Sequence, residues 1–208
     1  MGDGRVTVLL DVRQPQAYLA LAPAARLAVE DGIDVDFLPV VVAPLNAPST
    51  PGPDDDRPVI HRRARSRALA REIETYAAAQ GLVLREYYRA PNPSALNLAW
   101  LWVRERQPGT LPDFLTEAFR AYWALELDVS SSQDVAVLCE RCGLDVGALE
   151  AWRAGPGAGR AEALAEELRE KAPGRAPAYL VGDEVFVGRQ HLPMIRWILG
   201  GRSGRGPI

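Results

Sequence analysis

Two cysteines and two histidines are all that this 208-residue chain offers for thiol or imidazole chemistry. The cysteines stand as Cys139-Glu-Arg-Cys142, the spacing of a dithiol redox pair. Such a pair works where a strand gives way to a helix, because unpaired N–H groups and the positive end of the helix dipole stabilise a thiolate. Here the motif closes a helical pattern and runs straight into Gly143, where the dipole is negative, so a structural role is expected. His61 and His191 have no spacing that would complete a zinc site, and no metal is expected. Arg62, Arg63, Arg65, Arg67 and Arg71 follow closely on Asp54-Asp55-Asp56 and read as a solvated helix face. Gly155-Pro-Gly-Ala-Gly159 follows no strand and lacks phosphate-loop spacing, so it reads as a linker. Arg13-Gln14-Pro15 is different: it sits directly after an apolar strand and opens a helix, the anion-binding end of such a unit.

The elements that position these residues fall into three zones. Val6 to Leu10 is a β-branched apolar run, and Pro15 suits a first helical turn. Ala17, Leu21, Ala24, Ala25 and Ala28 recur at helical spacing, with Pro23 predicting a kink or an early end. Asp31-Gly32 stops the helix, and Ile33 to Leu38 gives a second strand. Strand–helix–strand at this length is a right-handed βαβ unit. From about Ala43 to Lys171 the pattern is helical, over 60–80, 94–106, 112–127, 132–142, 146–154 and 160–171, after a proline-rich loop from Pro44 to Pro58. Ser131 and Asp134 fit a capping box, and Gly143 a stop. Trp100, Trp102, Phe114, Phe119, Tyr122 and Trp123 concentrate in this zone and read as core. Strands then return: Pro177 to Val181 and Glu184 to Val187 flank a Gly182-Asp183 turn, and Leu192 to Leu199 forms a last helix before Gly200-Gly201.

The fold class is therefore α/β, a thioredoxin-like βαβ…ββα fold with a large all-helical insertion. The expected divisions are 1–42 and 172–201 for the thioredoxin-like part, 43–171 for the inserted helical domain, and 202–208 for a flexible tail. Twenty-four basic residues against twenty-seven acidic ones give a net charge of −3, which removes the electrostatic reason to expect nucleic acid. No apolar run approaches the roughly 18–20 residues that span a bilayer, and Met1 to Arg5 lacks a signal-peptide pattern. A soluble, cytoplasmic protein with reduced cysteines and no membrane partner is expected.

Three segments carry a resemblance to a known family. Asp11-Val-Arg-Gln-Pro-Gln-Ala-Tyr-Leu-Ala20 is similar to a strand exit of the form D-x-x-S-P-Y-x-Y-L. Tyr88 to Ala99, with Pro91-Asn-Pro-Ser94, is similar to a P-x-N-[ST] helix start. Ala176-Pro177 to Gly188, followed by Leu192-Pro193-Met194, is close to a cis-proline hairpin and final helix. The chain thus resembles the DsbA-like branch of the thioredoxin superfamily, and within it the 2-hydroxychromene-2-carboxylate isomerases and kappa-class glutathione transferases. Three departures stand out. Gln14 replaces the family's serine, or the first cysteine of the disulfide oxidoreductases. Gln16 replaces the aromatic of S-P-Y. Arg189-Gln190-His191 replaces a stretch that carries an aspartate for the glutathione amine, which turns that edge toward anions.

The resemblance implies a thiol-cofactor-dependent isomerase- or transferase-like enzyme acting on a small, anionic organic substrate. Its cofactor would be glutathione or another low-molecular-weight thiol. Arg13 and Gln14 would stabilise the thiolate. Ala176, Pro177, Arg189, Gln190, His191 and Asn92 would hold the cofactor, while Gln16 and Tyr18 would face substrate. Bland alternatives stand beside these roles: Tyr18 as a core residue, His191 as a cap, Asn92 and Ser94 as caps of the following helix. Related proteins lead us to expect a homodimer. Two other readings stay open: a non-catalytic binding or scaffold protein of the same fold, and a disulfide oxidoreductase, against which the lack of an active-site C-x-x-C counts.

Overall fold

The computed structural model describes residues 4–52, 56–172 and 174–207; Asp54, Asp55 and the first three residues lie outside them. β1 (Arg5–Leu10) is an inner strand of a four-stranded sheet ordered β2-β1-β3-β4. Its Val6, Val8, Leu9 and Leu10 are wholly buried, as a strand covered on both faces requires. α1 (Pro15–Asp31) returns the chain so that β2 (Asp34–Pro39) runs parallel to β1, from Arg5 opposite Asp34 to Leu10 opposite Pro39. Pro39, which lacks an N–H, is tolerated because β2 is an edge strand. β3 (Ala178–Val181) pairs antiparallel with β1, Tyr179 opposite Val8, and β4 (Glu184–Val187) pairs antiparallel with β3. Gly182 takes a φ of 57° at the first position of the tight turn between them, which a type II′ geometry requires.

Between β2 and β3 lie α2 (Arg57–Gln80), α3 (Ser94–Arg106), α4 (Leu111–Trp123), α5 (Ser132–Arg141), α6 (Val146–Ala154) and α7 (Arg160–Glu167). Ser131 caps α5 by accepting from the Asp134 N–H at 3.1 Å. α8 (Leu192–Leu199) closes the fold. Trp100, Phe114, Phe119, Tyr122 and Trp123 are wholly buried in one apolar cluster that also contains β1, α1 and β3, so the helices share the core of the sheet. The Trp100 indole donates to the Phe37 carbonyl at 3.1 Å, and Arg104 grips Asp36 through two bonds of 2.6 and 2.8 Å, tying α3 to β2.

Of the two outcomes expected at Pro23, a kink or an early end, the early end does not occur: α1 continues to Asp31. A proline there leaves the Leu19 carbonyl without its helical donor. The side-chain amide of Gln80, at the end of α2, donates to that carbonyl at 3.3 Å. After α8 the chain turns back: the Trp197 indole donates to the Ser203 and Gly204 carbonyls, so the expected tail is partly tethered.

Candidate functional site

The β1–α1 turn is built on a buried ion pair. Asp11 is 1% exposed and accepts from the N–H and Nε of Arg13, from its Nη2 at 2.7 Å, and from the Val42 N–H at 2.9 Å. Arg13 Nη2 also donates to the Val42 carbonyl, and Nη1 reaches that of Pro91. One carboxylate and one guanidinium therefore bolt the end of β1 to the loops that follow β2 and precede α3. The Asp11 hydrogen bond, acting against desolvation, raises the Arg13 pKa still further.

This lock fixes the start of α1. Gln14 takes the N-cap position and Pro15 the first helical one. Pro15 has no N–H, so Gln16 is the first helical residue to bring one. Gln14 is 4% exposed, and its side-chain amide donates to the Ala43 carbonyl at 2.9 Å. From the far end of the sequence, the cis Ala176–Pro177 peptide and the exit of β4 approach the same place. Gln14, Gln16, Ala176, Pro177, Arg189 and Gln190 line one cleft of about 430 Å³. Gln14 forms part of its wall and leaves it open.

One charged edge of the cleft comes from Arg189. Its guanidinium carbon lies 3.3 Å over the centroid of the Tyr76 ring, and Nη2 stands 3.4 Å from Glu72 Oε1. Both partners belong to α2, and Glu72 lines the cleft as its only carboxylate among the described residues. Gly188, at a φ of 97°, lets the chain bend beneath the Gln190 side chain, which folds back to donate to the Val187 carbonyl at 2.9 Å. A Cβ at Gly188 would stand 2.2 Å from that side chain. No serine, cysteine, tyrosine or histidine among the described residues lines the cleft. It can therefore bind and orient by hydrogen bonds and charge, while a nucleophile must arrive with a ligand.

A thioredoxin-like sheet, a helix start and a cis-proline loop meeting in one cleft agree with what the comparisons give. The DSBA-like thioredoxin domain matches residues 5–200. The chain belongs to that family. A solved 2-hydroxychromene-2-carboxylate isomerase superposes with a TM-score of 0.71 at 18% identity, over 95% of each chain. A "probable DsbA oxidoreductase" from Streptomyces coelicolor gives 0.71 at 20%, over 98% of this chain and 93% of the other. The cytosolic disulfide reductase DsbM of Pseudomonas aeruginosa, in a structure with GSH, gives 0.57 at 16%, over 95% and 98%. These likenesses are of fold. No curated protein matches the chain.

In this DSBA-like domain, four of the residues expected at the site lie elsewhere. Arg13 does not line the cleft, because Asp11 and two carbonyls occupy its guanidinium. Tyr18 is buried in the core, its ring 5.7 Å from that of Phe119, and desolvation raises its pKa. Asn92 is exposed and accepts from the Ser94 N–H at 3.0 Å, a cap for α3. His191 rests against the Phe186 ring at 5.6 Å and does not line the cleft. Sequence reasoning missed Asp11, Glu72, Tyr76 and Arg175. Only Asp11 left a local signal, an acid ending an apolar strand two residues before an arginine.

The cysteines sit at the C-terminal end of α5, and neither lines the cleft. Burial first, then the neighbouring Cys142 and nearby acids, pushes the Cys139 thiol up to about 12. Burial and Glu117 raise Cys142 as well. Among the described residues no group of three or more histidine, cysteine or acidic side chains could hold a metal ion, and no helix is long and apolar enough to cross a membrane.

Proposed function

We propose that this DSBA-like protein is a thiol-cofactor-dependent enzyme of isomerase or transferase type, with glutathione or another low-molecular-weight thiol seated beside Pro177 and a small organic anion as substrate. The observation that carries this reading is the convergence of the Gln14–Gln16 helix start and the Ala176–Pro177 loop on one cleft of about 430 Å³, edged by Arg189. A peptide-like thiol fits what lines it: side-chain amides, a cis-proline backbone, one guanidinium and one carboxylate. The GSH in the DsbM structure supports a thiol ligand on this fold.

The cofactor would supply a sulfur nucleophile that adds to an unsaturated carbon and leaves after a bond has rotated. The chain's own part is electrostatic. The second amide hydrogen of Gln14 and the N–H of Gln16 donate toward a negative sulfur at the positive end of α1. Arg189 takes a ligand carboxylate. Glu72 receives a ligand amine, replacing from α2 the carboxylate that the 189–191 stretch lacks. With no histidine among the described residues lining the cleft and Glu72 engaged by the ligand amine, ionisation of the thiol rests on these donors and on the helix dipole. Placement in the cytoplasm and assembly as a homodimer belong to the same proposal.

Calorimetric titration with glutathione and a panel of thiols of different charge tests the reading. Binding of at least one anionic thiol, weakened in Arg189→Ala, is expected; no binding to any member of the panel overturns it. One observation favours a non-catalytic binding protein instead: the Gln14 amide is tied to the Ala43 carbonyl, and no serine or cysteine among the described residues lines the cleft. Thiol binding without turnover of any unsaturated acid, unchanged in Gln14→Ala, would select that alternative. A disulfide oxidoreductase would reduce insulin, and a negative assay is expected.

A further inference from the structure

Beside the cleft, beyond Val42, a second pocket of about 240 Å³ opens between the end of β2, α3 and α7. Pro39, Val40, Leu101, Leu164 and Leu168 give it an apolar lining. Three polar side chains, Asn97, Arg169 and Arg175, interrupt that lining. Asn97, in the first turn of α3, is only 8% exposed, and its carboxamide makes no hydrogen bond with any described residue. Unlike the fully enclosed Arg89 Nε, Trp123 Nε1 and Tyr179 hydroxyl, the Asn97 amide keeps contact with the open space of the pocket, so it offers a donor and an acceptor to a molecule entering there. Arg175 is exposed, lines both the pocket and the cleft, and forms no ion pair or hydrogen bond with any described residue. Its neighbours differ: Arg169 is paired with Glu166, and Arg189 with Glu72.

We propose that this pocket seats a small apolar carboxylic acid. The hydrocarbon part lies against Leu101, Leu164 and Leu168, a carbonyl or hydroxyl meets Asn97, and the carboxylate pairs with Arg175 at the junction with the cleft. The volume falls below the roughly 300–1,000 Å³ of pockets for drug-sized ligands, so it takes a single ring or a short chain. The apolar lining excludes sugars and nucleotides, whose polar groups would be desolvated without partners. In making this acid the substrate of a thiol held in the cleft, the proposal rests on the functional reading above; binding of the acid itself needs no thiol.

The test is a titration of the isotopically labelled full chain with cinnamate and with octanoate, no thiol present, followed by amide chemical shifts around residues 97–101, 164–168 and 174–175. Cinnamyl alcohol serves as the uncharged comparison. At least one acid should shift these amides, and the alcohol should bind about tenfold more weakly, as expected for loss of a charged hydrogen bond. Arg175→Ala, at an exposed position, should bring the acid down to the level of the alcohol. Ala165→Trp, on the exposed edge of α7, should abolish binding of both. No shifts with either acid, or equal affinities in the wild type and Arg175→Ala, overturn the proposal. A negative thiol panel with positive acid binding removes the enzymatic reading and leaves the pocket; the opposite result removes the pocket alone.

Discussion

The two segments that meet at the cleft use charge in opposite ways. At the β1–α1 turn, Asp11 and Arg13 satisfy each other and three backbone groups from two other loops, and both are buried. Across the cleft, Arg175 has no partner among the described residues, while Arg189 stacks on Tyr76 and pairs with Glu72, a carboxylate that is itself largely exposed. A fully satisfied buried network holds backbone in place and has nothing left to give a ligand. Unsatisfied charge at a rim selects what binds. The helix start, where thioredoxin-type chemistry is expected, therefore works here as scaffold carrying two amides. Ligand selection falls to the opposite wall.

The largest expected effect follows from that contrast. Arg13→Ala leaves the Asp11 carboxylate buried and unpaired, and removing one partner of a buried pair destabilises by about 3–5 kcal/mol. Urea denaturation should show a loss of that size, whereas Arg175→Ala should leave the midpoint within the range of ordinary surface substitutions. A loss in Arg13→Ala below about 1 kcal/mol would dissolve the contrast, since the turn would then be no more rigid than the rim.

Much of this arrangement was legible in the residues. Strands β1, β3 and β4 were readable because apolar runs are punctuated by Asp11, Pro177, Gly182 and Gly188, and the helices because their caps and periodicity agree. The convergence of Gln14 and Pro177 followed from fold resemblance. What stayed hidden depends on distant partners. Arg13 looked like a catalytic cation because nothing local shows that Val42 and Pro91 complete its cage. Glu72 and Tyr76 lie more than a hundred residues from Arg189, on a helix whose run of arginines from Arg62 to Arg71 reads as a solvated face. Pro23 looked disruptive because the Gln80 amide that satisfies the freed carbonyl belongs to another helix.

Next in size is the ion network on the opposite edge of the sheet. Burial works to raise the Asp36 pKa, but the hydrogen bonds and charges of Arg104 and then Arg5 outweigh it and hold the carboxyl below the usual aspartate range. A carboxyl depressed in the folded state contributes stability that is fully present above its unfolded value, near pH 3.9, and is lost as pH falls through the folded one. Arg104→Gln should therefore reduce stability by about 1–2 kcal/mol at pH 7. It should also flatten the decline that the wild type shows below about pH 4. An unchanged acid limb would show that Asp36 is not the group being titrated.

A smaller stability effect, with a larger effect on binding, is expected at the rim. Arg189→Ala removes a pair whose Glu72 partner is 57% exposed and a stack on the exposed Tyr76 ring, each contributing about 0–1 kcal/mol. The same change should weaken an anionic thiol about tenfold and spare a neutral one. Glu72→Gln sharpens the contrast by acting on the other end of the ligand: it should weaken thiols that carry a free amine and leave those without one unaffected. If Arg189→Ala lowers stability as much as Arg13→Ala, the two sides of the cleft are equally structural and the distinction fails.

The smallest effect is expected at the cysteines. With Cys139 pushed up to about 12, only about one thiol in ten thousand is ionised at pH 8, and the side chain is wholly buried. Alkylation by iodoacetamide in the folded protein should therefore be far slower than in urea, with Cys142, which is less buried, reacting first. A combined Cys139→Ala, Cys142→Ala variant should bind ligands in the cleft with unchanged affinity, because the pair sits at the C-terminal end of α5 and lines neither wall. Insulin reduction by the wild type that disappears in this variant would place redox chemistry at α5. The cleft would then be one of two reactive sites, and the contrast between its walls would describe only one of them.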